Sequence, residues 1–176
     1  MNIRVARLQD VSILAKLEQQ FLQDELVSAS SAMQGQAFST QELTTLVNQH
    51  YLVIAEKDNQ IVGYVIAGSW AFFATWPIYR GLLKRLPDLT FEGQTLSEKN
   101  SCQYGPIWIK RSHRGQGIFE ALVAKVRQLT RTKYTAMLTF IAEDNQVSYA
   151  AHTGKGAMQV VDYYTFENRD YYVLLG

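Results

Sequence analysis

The stretch from residue 103 to residue 142 constrains the fold most. It reads as strand, helix, strand: "QYGPIWI" over 103–109, a helix over 117–131 with Ile118, Leu122, Val126 and Leu129 on one face, and a strand, "TAMLTFIA", over 135–142. Two strands joined through one helix form a parallel pair, with the helix as crossover. The neighbouring strands pair differently. "YLVIAE" and "IVGYVIA" enclose "KDNQ", whose Asp58-Asn59 suits the positive φ of a tight turn, so they form an antiparallel hairpin. A last pair, 158–166 and 170–175, closes around "ENRD" in the same way. A parallel pair within an antiparallel setting is not a doubly wound dinucleotide fold. It predicts an α/β (α+β) domain with a mixed, mostly antiparallel sheet, a central βαβ unit and flanking helices.

The rest of the chain supplies those helices. Residues 2–7 alternate like a short strand. Asp10 then offers an acceptor ahead of a stripe of Val11, Leu14, Leu17, Phe21 and Leu22. Ser39 with Glu42 forms a capping box before Leu43, Leu46 and Val47, and a short helix is expected over 146–153. The 176 residues are read as one domain, 1–176, with an aromatic-rich insertion at about 70–100. That insertion holds Trp70, Phe72, Phe73, Trp76, Tyr79 and Phe91. Thr75 and Pro77 start a helix that Pro87 stops, with Ile78, Leu82 and Leu86 as its apolar face. Its aromatics read both as core packing and as a wall of a substrate pocket.

Composition limits the partners. A net charge of +1 gives no field for nucleic acid. Residues 59–79 carry no charge and match a membrane span in length. Gly63, Gly68, Ser69, Thr75 and Pro77 interrupt them, so a hairpin strand and an aromatic loop are expected, and no membrane partner. The first ten residues mix charged and apolar positions unlike a signal peptide, and Cys102, the only cysteine, has no disulfide partner within the chain. A cytoplasmic location is the expectation.

The chemistry concentrates in "RSHRGQGIFEAL", residues 111–122, at the junction of strand and helix. The first N–H groups of a helix have no partner within it, and the helix dipole adds partial positive charge there. Gly115 and Gly117 let a ligand approach the backbone, and Arg111 and Arg114 add charge. This describes a phosphate cradle and, equally, a solvated basic turn. Other phosphate loops fit worse: no Gly-Lys-Ser/Thr is present, and Glu120 stands where a dinucleotide fingerprint has glycine or alanine.

Residues 114–119, "RGQGIF", resemble the Gln/Arg-x-x-Gly-x-Gly/Ala loop of the GNAT N-acetyltransferase superfamily, with Phe119 in place of the last Gly/Ala. A second segment, "NQVSYAAHTGKGA" over 145–157, is similar to another family segment through Asn145, Ser148 and Gly156. The resemblance implies transfer of an acetyl or other short acyl group from acetyl-CoA (coenzyme A) to an amine of a small molecule or peptide. It implies no metal and no covalent enzyme intermediate. The cofactor-binding residues it implies are Arg114, Gly115, Gln116, Gly117, Ile118 and Phe119 at the pyrophosphate, with Asn145 and Ser148. Ile107, Trp108 and Ile109 would lie beside the pantetheine arm. Pro106, lacking an N–H, suits a break in that strand's ladder.

Asn145, Ser148, Tyr149 and His152 share one helix face. His152 stands where the family commonly has a tyrosine acid, and is read as an acid, a base or a plain hydrogen-bonding group. Tyr104 occupies about the place where many relatives carry a glutamate base, and is the other catalytic candidate. Cys102 has no accompanying base and is read as a buried hydrophobe. Two alternatives stand beside this: a non-catalytic acyl-CoA-sensing module, and a homodimer built on the tyrosine-rich final strands.

Overall fold

The computed structural model describes residues 1–28 and 37–176; Leu22 of the predicted stripe lies outside the residues whose side chains are described. Seven strands form one sheet in the order β1 (Asn2–Val5), β2 (Tyr51–Lys57), β3 (Gln60–Gly68), β6 (Ser101–Ile109), β7 (Ala136–Ala142), β9 (Arg169–Leu175), β8 (Gln159–Phe166). All neighbours are antiparallel except β6 and β7, the predicted parallel pair. Strands β4 (Thr90–Phe91) and β5 (Gln94–Thr95) form a separate small hairpin inside the insertion. Both predicted turns take positive φ, at Asp58 and Asn59 and at Glu167 and Asn168. The uncharged stretch 59–79 divides between β3 and two helices, and no helix among the described residues is long and apolar enough to cross a membrane.

Helices α1 (Val11–Ser28), α2 (Thr40–Gln49), α3 (Trp70–Phe73) and α4 (Pro77–Arg85) accompany one apolar face of the sheet; α5 (Ile118–Thr130) packs on the other, and α6 (Gln146–Thr153) follows β7. The Ser39–Glu42 capping box forms in full, which contributes on the order of 1 kcal/mol to α2. Asp10 departs from expectation. Its carboxylate does not cap α1 but accepts from the Arg7 N–H at 2.7 Å and from the Arg4 guanidinium at 2.8 Å, which holds its pKa low. Thr75 likewise caps nothing: its hydroxyl donates to the Phe72 carbonyl, and α4 starts at Pro77 behind Trp76. At Gly81 the ring of Tyr164 leaves no room for a Cβ, and the Tyr164 hydroxyl donates to the Ile78 carbonyl at 3.0 Å, seating α4 on β8.

An acid within an apolar stripe escaped the sequence reading. Glu18, one turn beyond Leu14, is buried; its carboxylate accepts from the Tyr64 hydroxyl and from the Phe38 N–H at 3.1 Å. It thereby ties α1 to β3 and to the chain entering α2. Burial raises its pKa.

One irregularity in β6 positions the site. Val65 faces Ile107 and Ala67 faces Tyr104, so Ile66 alone opposes Gly105 and Pro106. Such a bulge inserts one residue and flips every later side chain to the other face. Cys102 and Tyr104 lie on the α5 face before the bulge; Ile107 and Ile109 lie there after it. Trp108 is turned to the opposite face, where it stacks on Tyr64 with ring centroids 5.8 Å apart. The expected break at Pro106 is therefore present.

Candidate active site

The β6–β7 ladder runs only from Ser101–Ala136 to Gln103–Leu138. Beyond it, Thr139 to Ala142 pair with β9 alone, and Tyr104 to Ile109 with β3 at most. The two strands part, and a cleft of about 840 Å³ opens where they do. Its walls include Ile107, Trp108 and Ile109 of β6, the loop from Arg111 to Glu120, the first turns of α6 with Asn145, Ser148 and His152, and Asp144 and Arg169 beyond β7. Every cofactor-binding residue expected from the sequence lines this cleft except Gln116. Gln116 sits within the loop, donating its side-chain amide to the Ser112 carbonyl at 3.3 Å.

The loop is open to ligand. Gly115 and Gly117 have φ of +74° and +80°, and a Cβ at either would meet nothing within 4 Å. Gly117 is the N-cap of α5 and supplies no side-chain acceptor. Among the described residues, no N–H from Gly115 to Phe119 donates to a protein acceptor. Consecutive free donors at a helix N-terminus are an arrangement that suits an anion. Arg114 donates from Nε to the Ile109 carbonyl at 3.0 Å, which pins the strand end to the loop. Phe119 turns its ring edge-on to His152, 4.9 Å away. Phe119 is half-buried and lines the cleft.

Asn145 caps α6, accepting from the Ser148 N–H at 3.2 Å. One turn on, buried His152 is fixed at both nitrogens. Nδ1 lies 2.8 Å from the Ser148 carbonyl and, since a carbonyl only accepts, carries the proton; Nε2 then accepts from the Tyr104 hydroxyl at 3.2 Å. Burial lowers the pKa of His152, so the imidazole is neutral near pH 7. Burial also pushes the Tyr104 phenol far up, opposite to what a base requires. The two candidates do meet: Tyr104 donates to His152, and its raised pKa disfavours the phenolate that a base would need. Cys102 is buried away from the cleft, its thiol pushed up to about 12.

The insertion is placed elsewhere. No residue of 70–100 lines the cleft. Trp70, Phe73, Tyr79, Leu82 and Leu86 belong to the core, and Trp76 lies within 5.2 to 6.3 Å of Phe38, Phe72, Phe73 and Tyr79, ring to ring. The packing reading holds, and a wall of this cleft it is not.

Several lining residues escaped the sequence reading. The Asp144–Arg169 pair, 2.9 Å apart, joins the end of β7 to the final hairpin. Lys155 pairs with Glu120 at 2.8 Å across the cleft mouth. In sequence Asp144, Lys155 and Arg169 are charges in or beside turns, which read as solvated, and nothing local pairs Glu120 with a residue 35 positions on.

The fold is a mixed sheet that splays at its parallel pair, with backbone N–H groups at the start of the crossover helix that lack acceptors among the described residues. The chain belongs to the GNAT acetyltransferase family, whose description "Acetyltransferase (GNAT) family" matches residues 15–156. No curated protein sequence matches it. Solved structures share the fold. The ribosomal-protein-alanine N-acetyltransferase of Brucella melitensis superposes with a TM-score of 0.67 at 18% identity, over 100% of this chain and 99% of that one. The Salmonella typhimurium protein yncA, solved with its cofactor acetyl-CoA, gives 0.69 at 14% identity, over 100% and 92%. An N-acetyltransferase of Staphylococcus aureus gives 0.64 at 19% identity, over 99% and 96%. The chain is accordingly an acetyltransferase of the GNAT type.

Proposed function

We propose that the protein transfers an acetyl or other short acyl group from acyl-CoA directly to the amine of an acceptor. The observation that carries this is the row of free N–H groups from Gly115 to Phe119, set where β6 leaves β7. That row would hold the pyrophosphate, with Arg111 and Arg114 adding charge. The free edge of β6 at Ile107 to Ile109 would pair with the pantetheine amides as a further strand does. Asn145 and Ser148 border the same channel.

In the chemical step the amine nitrogen attacks the thioester carbonyl carbon, the C–S bond breaks, and the sulfur leaves with the bonding pair. A proton must leave the nitrogen and one must reach the sulfur. The thiol resembles cysteine, with a pKa of about 8.5, so the second demand is modest. Tyr104 and His152 are the proton-handling pair nearest the bulge: the phenol donates to imidazole Nε2, and Nδ1–H donates onward to the Ser148 carbonyl. Among the described residues the carboxylates lining the cleft, Glu120 and Asp144, are each paired with a cation, and in this reading a water chain takes the amine proton. Cys102, buried and protonated, forms no acyl intermediate.

Initial rates with acetyl-CoA and acceptor both varied test this. Intersecting lines, with Cys102→Ser retaining at least a third of kcat, are expected. Parallel lines or an acylated Cys102 would overturn direct transfer. Tight acetyl-CoA binding without turnover of any amine would return the chain to the sensing reading.

A further inference from the structure

Among the described residues, three buried side-chain atoms have no hydrogen-bond partner: Gln103 Oε1, Trp108 Nε1 and Arg169 Nη1. An unsatisfied buried donor costs roughly 1–3 kcal/mol, and more when charged. Such an atom calls for a partner outside the chain's own hydrogen bonds, and in a cleft that partner can be a ligand. Two of the three line the cleft, and both of those are donors; Gln103 does not line it.

The two donors also share a side. The β6 bulge turns Trp108 to the α1 and α2 face, where it is 3% exposed. The Arg169 guanidinium lies 5.6 Å over the ring of Tyr171, which belongs to the same face. Of the residues assigned to coenzyme, Ile107, Ile109 and Phe119 pack on the opposite face; Trp108, whose backbone shares that strand edge, turns its indole to this one. An uncharged N–H and a guanidinium therefore border the cleft on the face opposite Ile107, Ile109 and Phe119. Asp144 holds the other guanidinium nitrogen, Nη2, at 2.9 Å and the guanidinium also acts on the Tyr171 hydroxyl, while Nη1 makes no direct hydrogen bond among the described residues.

We propose that Trp108 Nε1 and Arg169 Nη1 bind the carboxylate of the acceptor, and that the acceptor is a free amino acid. This rests on the acyl-transfer reading of the same cleft and names its substrate class. A cationic and a neutral donor on one cleft suit an anionic group such as a carboxylate. A protein N-terminus, whose α-carboxyl is an amide, offers no anion beside the reacting amine.

The test uses the intact protein labelled with ¹⁵N at its three tryptophan indoles. Coenzyme A is added first and its binding measured by calorimetry. Each of the twenty common L-amino acids, then its primary carboxamide, is titrated while the indole N–H resonances are followed. Trp108→Phe identifies the relevant signal; the Trp70 indole is already engaged with Ser101 at 3.0 Å. At least one amino acid should shift the Trp108 signal and bind tenfold or more tighter than its carboxamide. Arg169→Gln should erase that preference, and kcat/KM should follow the same order. If no amino acid moves the signal, if carboxamides bind as well, or if Arg169→Gln keeps the preference, the carboxylate site is wrong. Coenzyme that fails to bind while the indole still responds would overturn acyl transfer and leave the carboxylate site standing.

Discussion

The loop of residues 111–119 and the insertion of residues 70–100 differ in what they leave unsatisfied. The loop is exposed over residues 111–117 except at half-buried His113, with two glycines at positive φ and a row of N–H groups that no acceptor among the described residues takes. The insertion places Phe72, Phe73, Trp76 and Tyr79 against one another and against Phe38, with Tyr79 reaching Phe140 of β7. Large apolar side chains satisfy themselves by mutual burial, whereas backbone donors at a helix N-terminus need an external anion. A binding role follows from the groups that remain unpaired, and size or aromaticity alone does not identify it.

The largest expected effect lies in the loop. Gly117→Glu places a carboxylate beside the N–H row and forces a side chain onto a φ of +80°, at about 1–3 kcal/mol of local strain. Acetyl-CoA affinity measured by calorimetry should fall by 10²-fold or more, with the circular dichroism spectrum unchanged. Retained affinity in the folded variant would remove the loop from the site, and the contrast with the insertion would collapse.

Next in size is His152. If it handles a proton with Tyr104, His152→Ala should lower kcat by roughly 10²-fold with acetyl-CoA affinity nearly constant. Its pKa lies below the ordinary histidine value because burial disfavours the cation. If the neutral ring is the working form, wild-type kcat should therefore stay flat above neutrality and decline only below about pH 6.5. A change under threefold in the variant, or an acid limb that survives it, would assign His152 to structure.

Trp76→Ala should do the reverse of the loop variant. The ring is partly buried, so the loss should approach the lower end of the roughly 3–5 kcal/mol that a core aromatic costs, seen as a lower Tm. Acceptor KM and acetyl-CoA affinity should each move less than about threefold. An altered acceptor profile at unchanged stability would make the insertion a substrate wall after all.

The loop was legible because its signal is local: glycines, a helix start and a spacing that each act within a few residues. The mixed sheet was legible for the same reason, since turn chemistry at Asp58-Asn59 and "ENRD" fixes antiparallel neighbours and a helix between strands fixes the parallel pair. Trp108 shows the limit. Its residue type and strand were readable, but its face depends on an inserted residue at Gly105–Pro106 that shows only against the partner strand. Asp10 failed differently: three nearby donors compete for one carboxylate, and Arg4 and Arg7 win over the helix. Arg169 and Asp144, 25 positions apart, meet only through the β7–β9 pairing.

The smallest effect concerns the buried acid behind the aromatic face. Glu18 lies among Tyr64, Phe38 and the insertion's aromatics, and Tyr79 feels its charge. Its folded pKa is raised by burial, whereas in the unfolded chain it ionises near the usual 4.3. The folded state therefore holds this proton more tightly, and the group's contribution is fully present below the unfolded pKa. It is lost as pH rises through the folded pKa, when a buried carboxylate must form. Glu18→Gln removes that titration while keeping an amide able to bond the Tyr64 hydroxyl. The wild-type Tm minus the variant Tm should thus grow more positive as pH falls from 8 towards 4.5, by a few degrees at most, with coenzyme affinity unaffected throughout. A difference that is flat with pH would show that the carboxyl does not change charge across this range. A difference of opposite slope would show that its ionised form is the stabilising one, held by the Phe38 N–H and the Tyr64 hydroxyl against the cost of burial.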